Sequence, residues 1–191
     1  MSLTALVIFA VLILVILYTI FIYNGLVNLK HNVSKSWSNI DVLLKQRHDE
    51  LPKLVEVCKQ YMQYEKETLE KVVRARSAVM DAHHAGNVGA LGRAESELRS
   101  GLGNLFALAE NYPELKANQN FQQLQSRISQ LENSIADRRE VYNESVNLNN
   151  VRIEQFPDVI VARMLGFKAF ELLKFSEEEK HDVNIKSLFA S

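Results

Sequence analysis

The residues able to do chemistry are few and scattered. Glu178 and His181 have the Glu-x-x-His spacing of carboxylate-bridged dimetal bundles, but such a centre needs two of these motifs facing one core, and only one occurs. In a charged tail the run reads as solvated surface. His83-His84 offers two imidazoles, yet neighbouring residues on a helix point about 100° apart and no carboxylate recurs four residues away. They read as loop histidines. A Gly-rich phosphate loop, H-E-x-x-H and G-x-S-x-G are all missing from the sequence. The single cysteine, Cys58, excludes an intramolecular disulfide framework and a multi-thiolate zinc cluster, and reads as a small core residue. No catalytic residue, cofactor or metal ligand is expected.

More informative are three charged residues, Arg47, Glu65 and Arg138, at positions that the apolar repeat assigns to a helix seam. An unpaired buried charge costs several kcal/mol, so each is expected to pair across helices or to lie where the seam opens to water. Register-fixing pairs are the first reading. The alternative is an enzyme or ligand-binding protein with a polar site in a bundle core around these three. Trp37, Tyr61, Tyr112 and Tyr142 read as core residues whose polar atoms find partners.

The elements that carry these residues are helical. From Val33 a 3-4 repeat runs through Trp37, Ile40, Leu44, Arg47, Leu51, Leu54, Cys58, Tyr61, Glu65, Thr68, Val72, Ala75 and Val79, which predicts one long helix. Pro52 falls inside it, and the unshifted phase favours a kink near residues 48–52 over a break capped by Asp49. His83 to Asn87, followed by Gly89, predicts a loop. A second helix carries Leu91, Ala94, Leu98, Leu105 and Tyr112 up to Pro113. Asn118 or Asn120 can cap a third, with Phe121, Leu124, Ile128, Leu131, Ile135, Arg138 and Tyr142 on its stripe, which Phe156-Pro157 stops.

Residues 3–23 are organised differently: they are uncharged, interrupted only by Thr4 and Thr19, and long enough as a helix for the ~30 Å core of a bilayer. A secretory signal is disfavoured, because no basic residue precedes the run, the run is too long and no A-x-A site follows it. Tyr18 and Tyr23 suit an interface. Lys30 and Lys35 follow the run and no positive side chain precedes it, which places the N-terminus outside and the remainder in the cytoplasm.

The formal charge is -1, with basic and acidic residues interleaved, so no nucleic-acid partner is expected. Only 7 Gly and 3 Pro occur among many good helix formers. The predicted fold is all-α: a transmembrane anchor over 1–25 continuing into a long kinked helix of an antiparallel three- to four-helix bundle over 26–156. An amphipathic segment over 157–175 and a polar tail over 176–191 follow. The amphipathic segment, a helix pair or bent helix carrying Phe167 and Phe170 as interaction candidates, has more apolar residues than a free tail exposes. It is expected to dock on the membrane-proximal bundle or on the bilayer surface, although counting helices up and down favours the distal end of the bundle or a neighbouring subunit, the latter giving a homo-oligomer.

Several stretches are distinctive together: Tyr23-Asn24-Gly25-Leu26-Val27, Ser36-Trp37-Ser38-Asn39-Ile40-Asp41-Val42, the run from Arg47 to Val55, Glu67-Thr68-Leu69, and ENYPELKAN over residues 110–118. Tyr142-Asn143, Phe156-Pro157 and Gly166-Phe167 extend the pattern. On these residues the chain resembles the bacterial LemA family. It departs from the family at Leu148-Asn149, where relatives repeat a Tyr-Asn pair, and at Asp158-Val159, where Ser-Asn is frequent. The resemblance implies a helical bundle behind one N-terminal membrane helix, without an established catalytic activity. It also implies a membrane-organising or adaptor theme, since relatives include proteins needed for magnetosome membrane formation and members are linked to membrane metalloproteases. The expected partners are thus the lipid bilayer through residues 3–23, further copies of the chain, and membrane proteins such as a metalloprotease. The expected location is the inner membrane.

Overall fold

The computed structural model describes residues 2–174; the tail over 176–191, with Glu178 and His181, lies outside the described residues, as does Phe175. Among those described the regular structure is helical: α1 Leu3–Tyr61, α2 Lys66–His84, α3 Val88–Ala109, α4 Pro113–Ala117, α5 Gln119–Glu154 and α6 Asp158–Met164. The chain forms two compact units, the first from residues up to Asn39 with Glu140–Leu172, the second from Ile40–Arg139 with residues 173–174. Helices α1 and α5 contribute to both.

In the second unit, α1 passes through Pro52 without interruption. Proline has no N–H to offer the carbonyl four residues back, which is that of His48. Arg76 of α2 supplies the missing donor: its Nε–H donates to the His48 carbonyl at 3.0 Å. A break capped by Asp49 does not form.

The single helix predicted from Val33 to Val79 is corrected. It ends at Tyr61 and resumes at Lys66, with a turn between them. The turn buries Met62 completely and leaves Tyr64 95% exposed. Tyr61, Glu65 and Thr68 keep helical spacing across the turn, so the repeat has the same phase whether the helix continues or reverses. Asp41 lies against His83 and His48 against Arg76, which runs α2 antiparallel to α1.

The next reversal is shorter. Gly86 takes a positive φ of 64°, and the Asn87 side chain caps α3 by accepting from the Ala90 N–H at 2.8 Å. The pattern ENYPELKAN becomes the single turn α4, with Pro113 in its first turn. Asn118 then caps α5, its Oδ1 accepting from the N–H groups of Asn120 and Phe121. Asn118 also donates to the Tyr61 hydroxyl at 3.1 Å, fixing the start of α5 against the end of α1. The core is built from the predicted stripes, including Ile40, Leu44, Leu54, Cys58, Val72, Leu98, Leu105, Phe121 and Ile128.

In the first unit, α5 runs antiparallel to α1. Ser36 and Ser145 share a hydrogen bond of 3.0 Å, the Trp37 and Tyr142 rings pack at 5.2 Å between centroids, and further along Ile153 joins Ile22 and Leu26 in one core cluster. The third long helix therefore returns towards the apolar run instead of climbing away from it. This corrects the distal-end docking favoured by the helix count for the segment after Pro157, and it accords with the membrane-proximal alternative. Within this unit α6 sinks Val161 and Ala162 into the Ile22–Leu26 cluster, at the end of the apolar run. The segment is also less helical than predicted: α6 ends at Met164, Gly166 takes a φ of 72°, and residues 167–174 have no regular secondary structure.

Candidate functional site

The polar centre of the second unit is Arg47, which is 1% exposed. Its NH2 group contacts Glu95 of α3, and its NH1 group donates to Glu132 of α5 at 2.6 Å. Burial opposes the Arg47 charge, but Glu95 and Glu132 outweigh it and raise its pKa above the ordinary arginine value. Burial also lifts the Glu95 carboxyl above its usual range, against the pull of Arg47. Each charge stands in an apolar stripe of its own helix: Arg47 between Leu44 and Leu51, Glu95 between Leu91 and Leu98, Glu132 between Ile128 and Ile135. Sequence spacing could have found the two carboxylates, since each lies four residues after one stripe member and three before the next.

The three residues singled out from the sequence do not converge. Glu65 lies half-buried in the α1–α2 turn, where its Oε1 accepts from the Tyr112 hydroxyl at 3.2 Å. Burial first, and this bond next, raise the Tyr112 pKa. Arg138 is exposed, which corrects its seam assignment. Between Ile135 and Tyr142 the 3-4 repeat can step through residue 138 or 139, and it is Arg139 that turns inward and acts on Glu95. A second ion pair joins α1 to α5, with Arg127 Nε 3.2 Å from the buried Glu50. Cys58 is fully buried, and burial pushes its thiol up to about 12, so it is not a nucleophile.

His48 is half-buried, with its Nε2 2.6 Å from the Arg76 guanidinium. Burial, and after it the Arg76 charge, lower its pKa, so the neutral ring accepts from Arg76. Among the described residues, no group of three or more His, Cys, Asp or Glu is placed to hold a metal ion. Where α1 turns into α2, a groove of about 570 Å³ is lined by the apolar Val55, Met62, Leu69 and Val73 and by the charged Lys59, Lys66, Glu70 and Arg74.

In the first unit the polar groups act on the backbone of the irregular segment after α6. Asn150 makes a paired bond with Phe170, its Oδ1 accepting from the Phe170 N–H and its Nδ2 donating to the Phe170 carbonyl, both at 2.9 Å. The buried Asn149 donates to the Lys168 carbonyl at 3.4 Å, and the Tyr142 hydroxyl to the Glu171 carbonyl at 2.9 Å. Phe170 is thus held chiefly by its main chain. Phe167 packs edge-on against Tyr23, ring centroids 6.1 Å apart. Asp158, where the family pattern often has Ser, is buried and lies 2.9 Å from Arg152 Nε. From the sequence alone the asparagines at 149 and 150 read only as rising polarity. Asn or Gln on a helix facing a segment without regular structure is the signal that could have marked them.

A cleft of about 520 Å³ lies in the first unit between α1, α5 and the segment after α6. Tyr23, Val27, Lys30, His31, Phe167 and Lys168 are among its lining. In α1 the large apolar residues from Leu3 to Phe21 are 41–80% exposed, and burial begins at Ile22. Hydropathy and length suit that helix to cross a membrane.

An apolar helix end with no polar cover, continuing into helices packed around a charged centre, defines a membrane-associated helical bundle. The LemA family model matches residues 36–187, most of the chain, and the protein belongs to the LemA family. It is similar to Protein LemA of Metamycoplasma hominis, 27% identical with 95% of this chain and 83% of that protein covered. It is also similar to Magnetosome protein MamQ 2 of Paramagnetospirillum magneticum, at 24% identity over 85% of this chain and 68% of the relative. Magnetosome protein MamQ of Magnetospirillum gryphiswaldense matches with the same identity and coverage.

Proposed function

We propose that this protein is a non-enzymatic, membrane-anchored scaffold or adaptor whose helical bundle presents docking surfaces beside the bilayer. The observation that carries this reading is the continuity of α1 from its exposed apolar run to the end of the buried stripe at Tyr61. The buried charges support it too. Arg47 holds two carboxylates across three helices, which is the arrangement of a register-fixing pair and leaves Arg47 committed to Glu95 and Glu132.

The protein is a single-pass inner-membrane protein with its N-terminus outside and its bundle in the cytoplasm, following Lys30 and Lys35. It self-associates, so that several anchors share one membrane patch, and it holds membrane-protein partners such as a metalloprotease. The groove lined by Val55, Met62, Leu69 and Val73, where Lys59, Lys66 and Arg74 outnumber Glu70, suits an amphipathic partner helix with acidic flanks.

Native mass measurement of the full chain in lipid nanodiscs tests the assembly: oligomers are expected, and a strict monomer removes self-association. Protease treatment of intact spheroplasts tests the orientation, since digestion of the bundle from outside would reverse it.

A further inference from the structure

We propose that the cleft between α1 and the segment after α6 in the first unit binds the headgroup of an anionic phospholipid from the adjoining leaflet. The cleft is about 520 Å³, and its lining has two lysines and a histidine, Lys30, His31 and Lys168, with no acidic residue among the described lining. Apolar side chains complete it: Tyr23, Val27 and Phe167 form the wall on the side of the apolar run. This is the polarity order of a phospholipid, cationic at the phosphate and apolar towards the acyl chains.

Depth agrees with charge. Tyr23 closes the uncharged run, and at a helical rise of about 1.5 Å per residue Lys30 stands roughly 10 Å beyond it, at the level of headgroups. The wall is fixed at that level because α6 and Phe167 pack against Ile22 and Leu26. Apolar surface stays open on α6, where Ile160 is 52% and Met164 79% exposed, and beside its two ends, at Phe156 with 82% and Leu165 with 54%. Ile160 and Met164 are four residues apart on one face of α6, while Val161 and Ala162 are buried. An apolar face at interfacial depth beside a basic cleft fits lipid on both counts. The bilayer is the occupant because the run that crosses it is continuous with the cleft wall.

The test uses the full chain purified in detergent, stripped of lipid, and titrated with a phosphatidylglycerol or a phosphatidylcholine of identical acyl chains under native mass spectrometry. Tighter binding of the phosphatidylglycerol is expected, one lipid per chain. A basic side chain near an anionic surface contributes about a fivefold factor in affinity, so Lys30→Ala with Lys168→Ala lowers it about 25-fold. The control pair Lys45→Ala with Lys71→Ala, both exposed and outside the cleft, leaves it unchanged. Equal binding of the two lipids by the wild-type chain overturns the proposal, and this arm stands even where a variant misfolds. So does equal binding by the cleft and control variants. Displacement of the lipid by inorganic phosphate at equal concentration assigns the cleft to the free anion, and a second copy of the chain excluding lipid assigns it to an interface; either result also overturns the proposal.

Discussion

In the unit built on Ile40–Arg139 the polar groups that enter the core are charged and stand on three different helices, Arg47 between Glu95 and Glu132. In the unit built on the first 39 residues and Glu140–Leu172 they are mostly neutral. Asn149, Asn150 and Tyr142 all reach for main-chain atoms of one segment without regular structure. The difference follows from what each must hold. Helices satisfy their own backbone, so a second helix can be fixed in register only through side chains, and a buried charge penalises every misaligned register. A segment in neither helix nor sheet leaves N–H and C=O groups without ladder partners, and amide side chains carry both a donor and an acceptor to meet them.

The sharpest way to break this contrast is at Arg47. Arg47→Ala leaves Glu95 buried without its partner and is expected to cost about 3–5 kcal/mol, read from denaturant unfolding. Replacing Arg47, Glu95 and Glu132 together by apolar residues of similar size should restore most of that stability while loosening helix register. A single variant as stable as wild type would show that the centre is not stressed by losing its cation.

The next effect is at Gly92 of α3. A Cβ there would fall 2.0 Å from the Lys174 carbonyl oxygen, inside the same unit, so the backbone must move. Gly92→Ala is expected to cost about 1–3 kcal/mol and to open residues 173–174 to limited proteolysis. Gly103, where a Cβ meets nothing within 4 Å, is the matched control.

Asn150→Ala tests the neutral clamp. Both bonds to Phe170 disappear, with an expected loss of about 1–2 kcal/mol and faster hydrogen exchange at the Phe170 amide. An unchanged exchange rate would mean that the segment is held by its apolar contacts alone.

The smallest effect is a pH dependence at His48. Its pKa is lowered on folding, so the unfolded chain takes up a proton first. The contribution of the neutral ring is complete above the unfolded value and is lost as pH falls from about 6.5 through the folded value. His48→Gln should remove that slope from the melting temperature between pH 7 and 5. The remaining histidines serve as the background.

Much of this molecule is settled by local pattern. An uncharged run of bilayer length, apolar residues every three or four positions and capping asparagines depend on residues near one another in the chain, so the sequence alone determined the membrane-length helix, the all-helical fold and most core positions. The same local character explains what it left open. A 3-4 repeat has one phase through a helix or a four-residue turn, so the reversal at residues 62–65 is invisible in it, and with it the direction in which α5 returns. Between Ile135 and Tyr142 either of two arginines satisfies the spacing, and only packing turned Arg139 inward and left Arg138 in water. Which carboxylates meet Arg47, which arginine serves the carbonyl freed by Pro52, and where the segment after α6 lies are choices between residues far apart in sequence. Tertiary structure decided them, because pairing energy depends on distance in space and periodicity reports only the face on which a side chain stands.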